Sequence, residues 1–167
     1  MKKTFLLMAL MLLTVGSMQA QSLYGKWQTD MSDDEMNAQM FFTFSQSGTC
    51  DMSIAIVLED DEMGSMEFLF TLPGTFTRTG DQLHIELDKS RIQMKLGEMK
   101  WKGEMAEMAK DPATKELIEN MLKAEMEKQK NDKANEFPDD LDCTIKQLTS
   151  TTLELEEDND IMTFKRV

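Results

Sequence analysis

From position 38 onward the chain alternates apolar and polar residues in short runs. Met40, Phe42 and Phe44 fall on one face, with Phe41, Thr43 and Ser45 on the other, which is the period-two pattern of a strand. Gln46-Ser47-Gly48 is a turn. Cys50, Met52, Ile54, Ile56 and Leu58 then alternate with Asp51, Ser53, Ala55, Val57 and Glu59, so the two runs predict a hairpin. Beyond the charged loop from Glu59 to Gly64, Met66, Phe68, Phe70 and Leu72 share a face until Pro73-Gly74 interrupts them. Within a strand that dipeptide predicts a bulge, a bend or an edge position rather than a continuous central ladder. Thr75 to Arg78 resumes the strand, and Thr79-Gly80-Asp81 turns into Leu83, Ile85 and Leu87, which oppose His84, Glu86 and Asp88. A further strand sets Ile92, Met94 and Leu96 against Arg91, Gln93 and Lys95.

The period then changes. From Gly103 to about Asn131 the chain is rich in Glu, Lys, Ala, Met and Leu, with apolar residues at Met105, Met108 and Ala109 and then at Leu117, Ile118, Met121, Leu122 and Met126. This is helical spacing. Asp111-Pro112 reads as an N-cap followed by proline at the first helical position, so a short helix precedes a longer amphipathic one. Strand patterning returns for Leu141 to Leu148, Thr152 to Glu157 and Ile161 to Val167. Eight or nine short strands at hairpin spacing predict an all-β fold, an up-and-down antiparallel barrel of about eight strands. The helical segment, at about 103–135, is a late insertion in it.

The ends of the pattern fix how such a barrel closes. Gly25-x-Trp27 lies in the first strand, where an indole can plug one end and glycine admits another backbone. Arg166, near the end of the last strand, can lay its guanidinium on the Trp27 ring. Gly25, Trp27 and Arg166 are therefore read as structural closure. A Gly-x-Trp first strand, a run of antiparallel hairpins and a basic residue ending the final strand resemble the lipocalin-like (calycin) barrels. With the leader, the Gly25-Lys26-Trp27 opening and the Phe164-Lys165-Arg166-Val167 ending, the chain is similar to the small exported lipocalin-like proteins of gut Bacteroidetes. The resemblance implies the barrel fold and a small-molecule cavity, and leaves the ligand open.

A length of 167 residues suits one domain. Met1-Lys2-Lys3 and the apolar stretch Phe5 to Val15, too short for the ~20 residues of a membrane span, read as a signal peptide over residues 1–20, with cleavage after Ala20 or after Ser17. The barrel domain is then 21–167, exported to the periplasm or beyond. Without Lys2 and Lys3, 16 basic side chains face 31 acidic ones, a net charge of −15. Such a charge excludes nucleic acid and anionic membrane surfaces as partners. Export also bears on the two cysteines, because thiols there are usually oxidised. Cys50 and Cys143 are either a disulfide or two separately buried thiols.

Met40, Phe42, Phe44, Met52, Ile54, Ile56, Phe68, Phe70, Leu83, Ile85 and Met94 are the candidate inward face. They either line a cavity for a small apolar or amphipathic ligand or fill the barrel solid. Thirteen of the 17 methionines follow the leader, and their flexible thioethers suit an adaptable pocket. Leu117, Ile118, Met121, Leu122 and Met126 form a stripe that either lids the barrel mouth, covers the exterior or docks a protein partner. Met63-x-x-Met66 and Met105-x-x-Met108 fit ordinary apolar periodicity, and the acidic triplets fit solvated turns, so no metal or other cofactor is expected. His84 is the single histidine, and no phosphate loop, nucleophile elbow or paired-cysteine metal motif is present in the sequence. The chain reads as a non-catalytic binding protein, with a filled interaction module as the alternative.

Overall fold

The structure is a computed structural model and describes residues 22–32, 37–62 and 64–167. The proposed leader and Met63 lie outside the described residues. The strands are β1 (Gly25–Asp30), β2 (Asn37–Phe44), β3 (Thr49–Asp60), β4 (Gly64–Thr79), β5 (Gln82–Leu87), β6 (Gln93–Trp101), β7 (Asp140–Leu148), β8 (Thr152–Glu157) and β9 (Asp160–Arg166). Between β6 and β7 stand a short helix α1 (Gly103–Met108) and a long helix α2 (Pro112–Ala134).

All pairings are antiparallel. The ladder β1-β2-β3-β4-β5-β7-β8-β9 returns to β1 through Trp27 opposite Arg166 and Gln28 opposite Lys165, which closes a barrel of eight strands. Closure satisfies the edge hydrogen bonds that an open sheet leaves bare. The insertion thus interrupts a closed ring.

β6 stands apart from that ring. β4 pairs with β3 without a break from Gly64 to Thr75, but its second side is divided: Gly64 to Thr71 bond to β6, and Gly74 to Thr79 bond to β5. Pro73 sits at the changeover. Its carbonyl accepts from the Asp88 N–H at 2.8 Å, so the N–H it lacks would face the same side, into the gap between β6 and β5, where no ladder bond is lost. At Gly74 the β5 backbone crosses so closely that a Cβ would lie 2.2 Å from the Glu86 carbonyl oxygen. The Pro-Gly signal is therefore a change of partner within one continuous 16-residue strand.

The helices follow from local chemistry. Asp111 caps α2 by accepting from the Thr114 N–H at 3.1 Å and from its hydroxyl at 2.6 Å, which holds its carboxyl below the ordinary range. α2 packs on β6 and on the 3-10 turn Lys89–Arg91. At the β8–β9 hairpin, Asp158 and Asn159 both take positive φ (51° and 74°), as a type I′ turn requires.

Candidate functional site

One end of the barrel is solid. Trp27 is fully buried, and its Nε1 donates to the Leu23 carbonyl at 2.7 Å. The Arg166 guanidinium lies 4.2 Å from the indole centroid and donates to the carbonyls of Tyr24, at 2.7 Å, and Ser22. A Cβ on Gly25 would come within 2.7 Å of Arg166 Nη1, so glycine there gives the guanidinium its place. Phe42 meets Phe164 edge-on at 5.6 Å between centroids, and Phe44 meets Phe76 edge-on at 5.0 Å. Phe42, Phe44, Met52, Leu83 and Ile85 are all buried in this cluster with Leu72, Leu153 and Leu155. Among the eleven candidate lining residues, these five and Phe70 are buried core.

Cys50 and Cys143 are both free and buried. The disulfide left open by the sequence does not form, because β4 and β5 stand between β3 and β7. At about 4.8 Å per strand this puts roughly 14 Å of wall between them, beyond the ~7 Å Cα spacing that a disulfide spans. Burial pushes the Cys50 thiol up to about 12 and the Cys143 thiol to about 11, with nearby carboxylates adding to both, so neither is a nucleophile.

The other end is open and lies beneath the long helix. Ile56 and Leu58 of β3, Phe68 and Phe70 of β4, Met94 of β6, and Leu122 and Met126 of α2 line a half-open cavity of about 380 Å³, with Glu125, Gln129 and Lys133 on the helix side. A second compartment of about 330 Å³ shares Leu58 and Leu122 with the first. It adds Glu59, Asp60, Gly64, Met66, Trp101, Met105 and Ile118. Cross-strand register explains the common face, since Ile56 opposes Phe68, Phe68 opposes Leu96, and Phe70 opposes Met94. Met40 and Ile54 are half-buried on the same face without lining either compartment. The cavity is thus offset from the barrel centre, between α2 and the β3-β4-β6 wall.

The helical stripe divides in two. Ile118, Leu122 and Met126 face the cavity, whereas Leu117 and Met121 are 60% and 65% exposed. The correction is geometric: a stripe five residues wide covers more of the helix than one wall can receive, and i, i+4, i+8 is the set that meets the sheet. Trp101 was not assigned from the sequence either. On β6, Leu96 opposes Phe68 while Met99 opposes Met66, so β6 carries one extra residue at this bulge. The extra residue reverses the alternation set by Met94 and Leu96 and turns Met99 and Trp101 to their face.

His84 lies on the outer wall, opposite Asp142 of β7, and its Nδ1 is 2.7 Å from Asp142 Oδ1. Glu86 Oε1 is 3.6 Å from Nε2. The hydrogen bond to Asp142 raises the imidazole above its ordinary value. His84, Asp140 and Asp142 bring one ligand atom each within 4.8 Å of one another, a nitrogen-and-oxygen donor set that suits a borderline divalent cation. Asp140 and Asp142 are exposed and His84 is only half-buried. Of the methionine pairs, Met66 and Met105 line the second compartment and Met108 is half exposed.

The eight-stranded up-and-down antiparallel barrel, plugged by a first-strand Trp under a last-strand Arg, is the architecture that the resemblance to lipocalin-like barrels implies. No family model and no curated protein matches the chain. Among solved structures it is similar to a lipocalin-like protein from Bacteroides uniformis ATCC 8492, with 17% identity over 87% of this chain and 98% of that one and a TM-score of 0.45.

Proposed function

We propose that this protein is an exported, non-catalytic binding protein that holds a small apolar or amphipathic molecule between α2 and the β3-β4-β6 wall. The observation that carries the reading is the cavity itself, about 380 Å³ with Ile56, Leu58, Phe68, Phe70, Met94, Leu122 and Met126 around it. That volume falls within the range of about 300–1,000 Å³ typical of small-molecule sites, and apolar walls with a few polar groups at the rim are the usual lining. Export rests on the leader, Met1 to Ala20. Among the described residues no helix is long and apolar enough to cross a membrane. The reading assigns no catalytic step to His84, which lies on the outer face of β5 away from the cavity.

Native mass spectrometry of the protein from its exported fraction, followed by uptake of a fluorescent fatty-acid probe, tests it. A stoichiometric apolar ligand or probe, lost in Leu122→Trp with folding retained, is the expected result. An empty protein that takes up no probe overturns the reading. It would favour a protein-interaction module instead, for which Leu117 and Met121, exposed one helical turn apart, are the supporting observation.

A further inference from the structure

Away from the cavity, β5 and β7 gather four ionisable side chains on the outer wall of the barrel. His84 opposes Asp142 and Glu86 opposes Asp140, and residues two apart on a strand share a face, so the four occupy one small patch. Glu86 and Asp140 are like charges directly opposite each other, which weakens a ladder unless a positive group offsets them. Among the described residues no lysine or arginine pairs with Glu86, Asp140 or Asp142. The donors are already close, since one ligand atom each of His84, Asp140 and Asp142 lies within 4.8 Å of the other two. Bonds of about 2.0–2.2 Å to a single ion set neighbouring donors about 3.0–3.4 Å apart, a shift within reach of exposed side chains on a fixed ladder. His84 also has the support that a metal-bound imidazole requires. Its Nδ1 faces Asp142 at 2.7 Å, and its Nε2 is 3.6 Å from Glu86 Oε1, too long for a hydrogen bond. A ligating imidazole donates its other ring N–H to a carboxylate, and Glu86 stands where that acceptor belongs.

We propose that His84 Nδ1, Asp140 and Asp142 bind one divalent cation of the zinc class, with Glu86 accepting from the His84 Nε2–H and water completing the coordination. The imidazole nitrogen selects such an ion over magnesium and calcium, which take oxygen donors. The ion bridges β5 to the first residues of β7, where the chain re-enters the barrel after α2. The site lies on the outer wall and stands or falls separately from the ligand-binding reading above.

The test is equilibrium dialysis of the chelator-treated protein against Zn²⁺ in about 0.15 M NaCl, where screening suppresses loose association with an acidic surface. NMR of the single histidine gives the local readout. The expected result is one Zn²⁺ per chain, with the His84 ring resonances shifted and the ion retained against an excess of Mg²⁺. His84→Gln and Asp140→Asn should weaken Zn²⁺ by more than about tenfold, and Glu86→Gln by about tenfold, the usual effect of losing the carboxylate behind a ligating histidine. Glu116→Gln on α2 should leave the affinity unchanged. No binding overturns the proposal. So does binding that leaves the His84 resonances in place, is unaffected by His84→Gln, or yields to Mg²⁺, each of which means an adventitious ion only. Thermal melts check that the variants fold, and the His84 resonances of the wild-type protein decide if one of them does not.

Discussion

Arg166 joins the two ends of the barrel with one side chain: it stacks on Trp27, and it ties down the carbonyls of Ser22 and Tyr24. Trp27 is therefore held on its edge by Leu23 and on its face by a cation, with no accessible surface left. Replacing it by alanine removes a large buried ring from a packed cluster. The expected loss is about 3–5 kcal/mol, read from urea unfolding, and a loss near zero would remove its role as plug. These three residues were legible because a Gly-x-Trp and a terminal Arg are local signals with few other uses. The pairing of His84 with Asp142 was not, since 58 residues separate them and only the β5–β7 register brings them together. That pair sets a pH dependence. The folded protein holds the His84 pKa above its ordinary value, chiefly through the Asp142 hydrogen bond, so the protonated form is favoured by folding. The stabilisation is complete at pH below the ordinary imidazole value and fades as pH rises through the raised one. In Asp142→Asn, the His84 titration followed by NMR is expected to move downward; an unchanged titration would show that Asp142 is not the cause.

Among the elements, β4 carries the most information per residue. It is continuous against β3 and divided on its other side, and Pro73 and Gly74 mark the division. Gly74→Ala sets a methyl group against the Glu86 backbone, a contact that a flexible side chain cannot relieve. Its expected effect is a destabilisation of about 1–3 kcal/mol, in the range of overpacked sites, and a neutral thermal melt would contradict the close approach. Sequence patterning found the strands and both helices because period two and helical spacing are distinct over such lengths, but it set Arg91 and Ile92 in the sixth strand, where a 3-10 turn and its C-cap stand, and stopped that strand short of Trp101. It failed where the phase shifts within an element, at the β6 bulge that brings Trp101 to the cavity side, and where a stripe is wider than the wall it meets, at Leu117 and Met121. Neither is a matter of propensity. Both depend on the neighbour that the element finds.

At the scale of the whole molecule, the barrel is filled around Trp27, Phe42, Phe44 and Phe164 and hollow beneath α2. The alternatives of solid core and ligand cavity, which the sequence left open for one set of eleven residues, are divided between its two ends. The divided strand has a consequence for motion. The ring of eight strands closes without β6, so β6 and the helix packed on it can detach as a separate cooperative unit while every ladder of the ring stays intact. Amide hydrogen exchange is expected to show two tiers. Met94, Leu96 and Met99 of β6 should exchange through a low-energy opening, and Leu153, Leu155 and Phe164 of β8 and β9 only through global unfolding. A single uniform tier would mean that β6 is bound into the ring's cooperativity. With two tiers, the width of the groove beneath α2 is set by a partial unfolding equilibrium, and so by the stability of one strand and one helix.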